Sequence, residues 1–367
     1  MDADPSTNIS VQVITTDAEF DALLADWDIL HTLCIKAGLF NSGYWNRLWW
    51  QHYGQSASLY ILVARLHGTV IGIAPLYQST TRKLKLIKAR TVQFIGSGGD
   101  TSPDDLCVLF HPDHESVATR AICDYLFEAS DITRIRLSDL GQDSLLVSTL
   151  RKCAQARRWQ RPLESTQQRL VDVLPETVEE FEGNLSRNAR KQRKQRRTRL
   201  HKAGHAVFSF CRSACEIDEA FEALMRLHHE RFSSKGGSDS FQSDNYRRFH
   251  RAVMEKAQEL DELKLLTLRI DGTIVGVEYA FLCNGTLSFF QTGFDPRYQH
   301  LSLGHLLMMH TIDQAIVDGA IYIDLLKGDY PYKSTYARQT CHTVELDFWK
   351  SRPLLVLIRL ARALSRH

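Results

Sequence analysis

The sequence predicts an α/β protein of two tandem halves, each a mixed, mostly antiparallel sheet flanked by helices. Three observations lead there. A chain of 367 residues exceeds one ordinary core and suits two domains of about 150–200 residues. Residues 59–72 (LYILVARLHGTVIG) and 263–276 (LKLLTLRIDGTIVG) repeat one another: Leu59/Leu263, Leu62/Leu266, Arg65/Arg269, Gly68/Gly272, Thr69/Thr273 and Gly72/Gly276 are identical at one constant offset. Each copy is a β-rich run, a Gly-containing turn and a second β-rich run, the pattern of a hairpin. Strand and helix signals then follow in mixed order around both copies, which calls for a sheet flanked by helices.

Composition supports packed cores. Hydrophobic residues at 44% and charged residues at 24% exclude a disordered or fibrous chain. A net charge of +2 predicts no bulk attraction to any partner, so anion binding must come from local clusters. No apolar run approaches the ~20 residues of a membrane span; the candidate 354–358 is followed by Arg359 and Arg362, and 354–365 is expected to be a last packed helix. Residues 1–10 are polar and acidic, unlike a signal or transit peptide. The expected location is cytoplasmic, with at most peripheral contact at the inner membrane face. Eight scattered cysteines without zinc-site spacing read as reduced thiols, and no metal is expected.

In the N-terminal half a helix over 40–53 precedes the hairpin, and a helix over 115–129, a strand over 132–138 and a helix through Lys152 follow it. The Gly-rich stretch 96–100 (GSGGD) leads directly into no helix, so this half, 1–165, is expected to be a degenerate partner that shapes the acceptor side. The boundary falls near 163–170. The second half, 166–367, orders two helices, a hairpin over 264–282, a strand over 286–293, a loop, a helix over 304–318, a strand over 321–326, a helix, and a strand over 343–349.

The loop between strand 286–293 and the helix that follows reads FDPRYQHLSLGHLLMM over 294–309. A strand feeding a loop that feeds a helix N-terminus presents unpaired backbone N–H groups and the positive end of the helix dipole to an anion. Ser302 and Gly304 are small enough for close approach, and Arg297 and Gln299 stand just upstream. The segment Gln299, Ser302, Leu303, Gly304, His305 resembles the Q/R-x-x-G-x-G/A pyrophosphate loop of GNAT acyltransferases, with Ser302 in place of the first glycine. Residues 322–333 (YIDLLKGDYPYK), the Trp-rich helix around Trp45–Trp50 and the basic helix described below resemble a GNAT branch that includes CelD/BcsL-type proteins linked to bacterial cellulose synthesis. The resemblance implies tandem GNAT-like halves, an acyl-CoA donor, acetyl-CoA foremost, and direct transfer to a small-molecule or glycan acceptor of the cell envelope or an exopolysaccharide.

Direct transfer needs a base for the acceptor, an oxyanion donor and an acid for the departing thiolate. Glu278, a carboxylate between Val277 and Tyr279 on a β-rich run, is the first candidate for base, since such a group needs a partner or a task. Asp324 is the second, or else a strand-end carboxylate paired with Lys327 or Lys333. Tyr332 and Tyr336, four positions apart and so on one face of an expected helix, are candidates for the acid. Lys333 is a candidate contact for CoA phosphate or an acidic acceptor. The His228-His229 pair has no third ligand, and no nucleophile-elbow sequence supports a hydrolase triad.

Residues 185–202 (LSRNARKQRKQRRTRLHK) hold nine Lys or Arg. Such density meets an anion or stays solvated: anionic lipid, acidic polysaccharide, CoA phosphates or nucleic acid. FemABX-type aminoacyltransferases, which also pair two GNAT-like halves, take aminoacyl-tRNA, so transfer from tRNA is the alternative function. A catalytically inactive anion-binding scaffold is a third.

Overall fold

The computed structural model describes residues 9–34, 37–83, 87–98, 100–101, 103–233, 240–328 and 332–350. The expected helix at 354–365 and residues 329–331 of the 322–333 motif lie outside them. The chain divides into two compact units. The first runs to Gln167 and regains the chain from His342; the second is Gln168–Cys341.

The first unit contains β1 (Ile9–Ile14), α1 (Asp17–Leu33), α2 (Gly43–Tyr53), β2 (Ser58–Leu59), β3 (Ile61–Leu66), β4 (Thr69–Ala74), β5 (Leu76–Lys83), β6 (Ile87–Phe94), β7 (Leu109–Phe110), α3 (Glu115–Glu128), β8 (Arg134–Gly141) and α4 (Leu145–Ala156). A capping box starts α1: Thr16 Oγ1 accepts from the Glu19 amide while Glu19 accepts from the Thr16 amide. Strands β1, β3, β4 and β7 form one sheet; β2, β5 and β6 pair antiparallel, and β6 lies parallel to β8. Between the units, the expected boundary is itself a strand, β9 (Leu163–Val173).

The second unit continues with α5 (Val178–Asn184), α6 (Arg187–Ala203), β10 (Ala206–Phe210), α7 (Ala214–Ser233), α8 (Asp244–Glu259), β11 (Leu263–Ile270), β12 (Thr273–Cys283), β13 (Thr286–Phe294), α9 (Leu303–Val317), β14 (Tyr322–Lys327) and β15 (Gln339–Trp349). Strands β10 to β13 are antiparallel neighbours, β13 lies parallel to β14, and β14 pairs antiparallel with β9. Helix α9 packs beneath β11 and β12. Leu303, Leu306 and Leu307 meet Leu266 and Leu268, and a Cβ on Gly276 would stand 3.0 Å from Leu307, so glycine there sets the approach of helix to sheet. Where the sequence reading puts all of 166–367 in the second half, β15 pairs with β8 of the first unit, from Thr343 opposite Gly141 to Trp349 opposite Arg134. Burial explains the difference, because Val344, Leu346 and Phe348 alternate into the first unit's core.

The two copies of the repeat fold alike in detail. Each hairpin turns through two residues of positive φ, His67-Gly68 and Asp271-Gly272, the geometry of a tight hairpin turn. Each carries a bulge at the equivalent place, Ala64/Arg65 and Leu268/Arg269. In each the repeated arginine donates to the turn carbonyl, Arg65 to Gly68 at 3.0 Å and Arg269 to Gly272 at 3.1 Å.

Within the second core His250 is fully buried, with Nδ1 3.3 Å from Tyr279 Oη and its ring against Tyr246 and Phe290. Burial pushes its pKa down to about 3. Unfolded His250 takes up a proton below about 6.5, whereas the native residue does not until about 3. Stability from this group is therefore complete above 6.5 and is lost as pH falls toward 3, with a slope of up to about 1.4 kcal/mol per pH unit. Urea unfolding followed by circular dichroism from pH 7 to 5 is expected to be less pH-sensitive in His250→Gln; an unchanged slope refutes this assignment.

Candidate functional site

The site grows from a break in the sheet. The β13–β14 ladder comprises only Thr286–Ser288 opposite Tyr322–Asp324, although both strands run on. Each strand is irregular past that point. The β12–β13 register shifts at Tyr279/Ala280, leaving Phe290 as the extra residue, and the β14–β9 register shifts between Asp324 and Lys327, where Leu326 has φ +57°. Bulges bend strands and end pairing. The two strands thus leave a slot between them.

Beyond the slot, β13 leads into the loop expected to meet an anion. Buried Asp295 accepts from the Arg297 amide at 2.9 Å and from its guanidinium at 2.6 Å, and Arg297 holds the Asp295 carboxyl below its ordinary pKa. Arg297 is therefore tied to the loop it was expected to serve, although its side chain stays 79% exposed. A 3-10 turn over Pro296–Leu301 follows, with Gln299 exposed. Ser302 then adopts φ 58°, ψ 50°, the left-handed region that glycine enters freely and other residues enter at a cost of about 1–2 kcal/mol. The substitution of serine for the first glycine of the motif thus keeps the backbone that glycine favours. The Ser302 side chain makes no capping bond to α9, and the amides of Leu303 and Gly304, in the first turn, have no intrahelical acceptor. A Cβ on Gly304 would touch only the Phe294 ring, at 3.4 Å and beyond. The Leu303 side chain is wholly buried in the core, so only its backbone faces the loop.

His305, in the same first turn, has Nδ1 2.9 Å from Tyr336 Oη. Burial, aided by the nearby Arg196 charge, lowers the His305 pKa to about 4, so the imidazole is neutral at pH 7. Burial raises Tyr336 to about 12. The helix expected to begin at Tyr332 is, among the described residues, a single 3-10 turn, Lys333–Thr335. Tyr332 and Tyr336 nevertheless both face His305, with ring centroids 5.8 and 5.9 Å away. Tyr332 is 39% exposed and Tyr336 buried. Lys333 is not directed to a phosphate: it is buried, and Nζ donates to the carbonyls of Leu326 at 3.1 Å and Lys327 at 2.6 Å. Its charge is spent on the end of β14, where the bulge leaves those carbonyls out of the ladder.

Of the carboxylates, Glu278 is fully buried on β12, opposite Leu266 and Thr292, and its Oε1 accepts from Thr292 Oγ1 at 2.7 Å. Thr292 is half-buried and lies on the part of β13 beyond the β14 ladder, so it links the buried carboxylate to the slot. Asp324 is paired differently from either expected lysine. Arg169 of β9 lies 3.2 Å from Oδ2, and Oδ1 accepts from the Leu326 amide at 2.8 Å. That engagement makes Asp324 a buried ion-pair partner at the base of the slot. Thr292 and Arg169 carried no local sequence signal; they matter through strand register alone.

The basic segment folds as α6, with N-cap Ser186. It is not solvated all round. Arg193 is buried against Glu182 at 2.8 Å and Asp313 at 2.5 Å, and Leu200 joins the core under the anion loop. His228 is buried, its ring edge-on to Phe241. Among the described residues no group of three or more His, Cys, Asp or Glu is placed to hold a metal ion.

Residues 187–334 match the family model described as an acetyltransferase (GNAT) domain. No curated protein matches the chain significantly. Among solved structures, FemX is similar with a TM-score of 0.63 at 12% identity, over 95% of this chain and 99% of FemX. A conserved protein of unknown function from Bacteroides thetaiotaomicron has a TM-score of 0.55 at 12% identity, over 92% and 100% of the two chains. The C-terminal domain of a putative lysylphosphatidylglycerol synthetase from Agrobacterium fabrum has a TM-score of 0.52 at 9% identity, over 95% and 97%. At such identities these likenesses establish a shared fold.

Proposed function

Residues 187–334 carry a GNAT-type acetyltransferase domain, and from that premise we propose that the protein transfers an acyl group from an acyl-CoA donor to an amine or hydroxyl. One observation carries the reading: the β13–β14 slot opens toward a loop that ends in an uncapped helix N-terminus, with Ser302 in the left-handed backbone and room over Gly304. In this reading the amides of Leu303 and Gly304, with the α9 dipole, take the donor's pyrophosphate. Gln299 and Arg297 stand at the mouth. Glu278 receives the acceptor's proton through the Thr292 hydroxyl, and Tyr336, oriented by His305, protonates the departing thiolate. Acetyl-CoA is the donor, and the acceptor is a cell-envelope or exopolysaccharide glycan, as the CelD/BcsL-type resemblance suggests. The work is done in the cytoplasm.

A second reading, aminoacyl transfer from tRNA, is favoured by the fold likeness extending over 95% of the chain to FemX and to the domain of a putative lysylphosphatidylglycerol synthetase. Titration calorimetry with acetyl-CoA, CoA and aminoacyl-tRNA separates the two. The expected result is micromolar CoA binding that weakens at least about thirtyfold, roughly 2 kcal/mol, in Gly304→Trp, whose indole fills the space above the helix N-terminus. Absent CoA binding together with tight tRNA binding sinks the first reading in favour of the second.

A further inference from the structure

Helix α6 treats its cations in two ways. The inward Arg193 and the flanking Arg197 are compensated by Glu182 and Asp313. Among the described residues, Arg187, Lys191, Lys194, Arg199 and Lys202 are exposed and enter no ion pair. This contrasts with exposed arginines elsewhere, such as Arg90, Arg151, Arg226 and Arg251, each of which meets an acid. The arrangement also works against the helix itself. Arg187 and Arg190 occupy a first turn that holds no acid, where the dipole disfavours cations. Arg187/Lys191 and Arg190/Lys194 repel at i,i+4 spacing, and Arg199/Lys202 at i,i+3. A local rule broken on an exposed face without local compensation marks a place where something else supplies the compensation.

From this stripe we infer that α6 is a docking surface for the phosphate backbone of a polynucleotide. Its cations extend over about 22 Å from Arg187 to Lys202, enough to follow several successive phosphates. The outer positions Asn188, Gln195, Thr198 and His201 are polar and exposed, so the face lacks the apolar stripe by which a helix beds into a lipid surface. Beside it, Phe208 of β10 stacks in parallel on His310 of α9 at 4.5 Å, both half-buried, and the charges of Arg193 and Arg197 act on His310. Cations flanked by partly exposed aromatic rings suit a phosphate chain bearing bases. The inference does not rest on the acyl-transfer reading.

The test is fluorescence anisotropy of a labelled RNA hairpin and a labelled single-stranded RNA 20-mer with the full chain. Affinity is expected to fall about a hundredfold between 50 and 200 mM salt, as release of counterions from four or five phosphates requires. It should fall at least about tenfold in the triple variant Arg187→Gln, Lys191→Gln, Lys194→Gln, and further in the corresponding Glu variant. Circular dichroism and acetyl-CoA titration of the same variants are expected to be unchanged, which separates loss of docking from loss of fold and from the donor site. Absence of RNA binding at 50 mM salt, or binding indifferent to both variants, overturns the inference. So does variant-sensitive binding to phosphatidylglycerol vesicles without RNA binding, which would assign the stripe to a lipid surface.

Discussion

Asp347→Ala is expected to destabilise the first unit by about 3–5 kcal/mol, the usual cost of stripping one partner from a buried ion pair. Arg134 of β8 meets Asp347 of β15 through two bonds, Nε to Oδ1 and Nη2 to Oδ2, both 2.6 Å, with side chains 8% and 2% exposed. The guanidinium also lies 4.7 Å over the Trp349 ring. Removing the carboxylate leaves a cation with neither water nor partner, on the strand that the chain returns from the second unit. Against total stabilities of about 5–15 kcal/mol the loss is large. All six tryptophans belong to the first unit, so urea unfolding followed by tryptophan fluorescence reads this unit alone. The double replacement Arg134→Met with Asp347→Leu is expected to recover most of the loss, because apolar packing avoids the desolvation of both charges. A loss below about 1 kcal/mol in Asp347→Ala would show that water or another group reaches Arg134, contrary to the burial observed.

Glu278→Gln is expected to lower turnover about 10²–10⁴-fold, the range for loss of a general base, while acetyl-CoA binding changes by less than about threefold. Glutamine keeps the volume and an oxygen able to accept from Thr292, but it cannot take a proton. Thr292→Val should give a loss of the same order, since the carboxylate has 0% exposure and Thr292 is its link to the slot. Release of CoA thiol from acetyl-CoA in the presence of a glycan acceptor is the readout. Unchanged turnover in Glu278→Gln removes the residue from the chemistry and leaves it as a buried polar partner of Thr292. Loss in Glu278→Gln with full activity in Thr292→Val would place the base on another route to the acceptor.

Much of each unit was legible locally. The hairpin turns declare themselves through His67-Gly68 and Asp271-Gly272, because positive φ at two successive residues is accessible to few residue types. The turn before α9 is legible for a similar reason: a strand, a short turn and an apolar helical run place backbone amides whatever the side chains do. Ser302 illustrates the limit. The sequence shows a serine where the motif has glycine, but only the backbone angles reveal that it adopts the conformation glycine would take.

Side-chain roles were less legible than positions. Lys333 was expected at a phosphate or an acidic acceptor and Asp324 as a base or beside Lys327 or Lys333, yet the lysine turns inward to strand carbonyls and the aspartate meets Arg169. Tyr336 gains its histidine from another element. By itself the sequence determined the two-half α/β plan, the repeated hairpin, the strand–turn–helix at 286–317 and the basic helix, since each follows from periodicity and turn chemistry within a short run of chain. The tertiary structure decided that β15 pairs with β8, that Arg134 finds Asp347 and Asp324 finds Arg169, and which α6 cations are compensated. Those partners are set by strand register and helix packing between segments far apart in the chain, where burial makes an unpaired charge costly and selects the arrangement that pairs it.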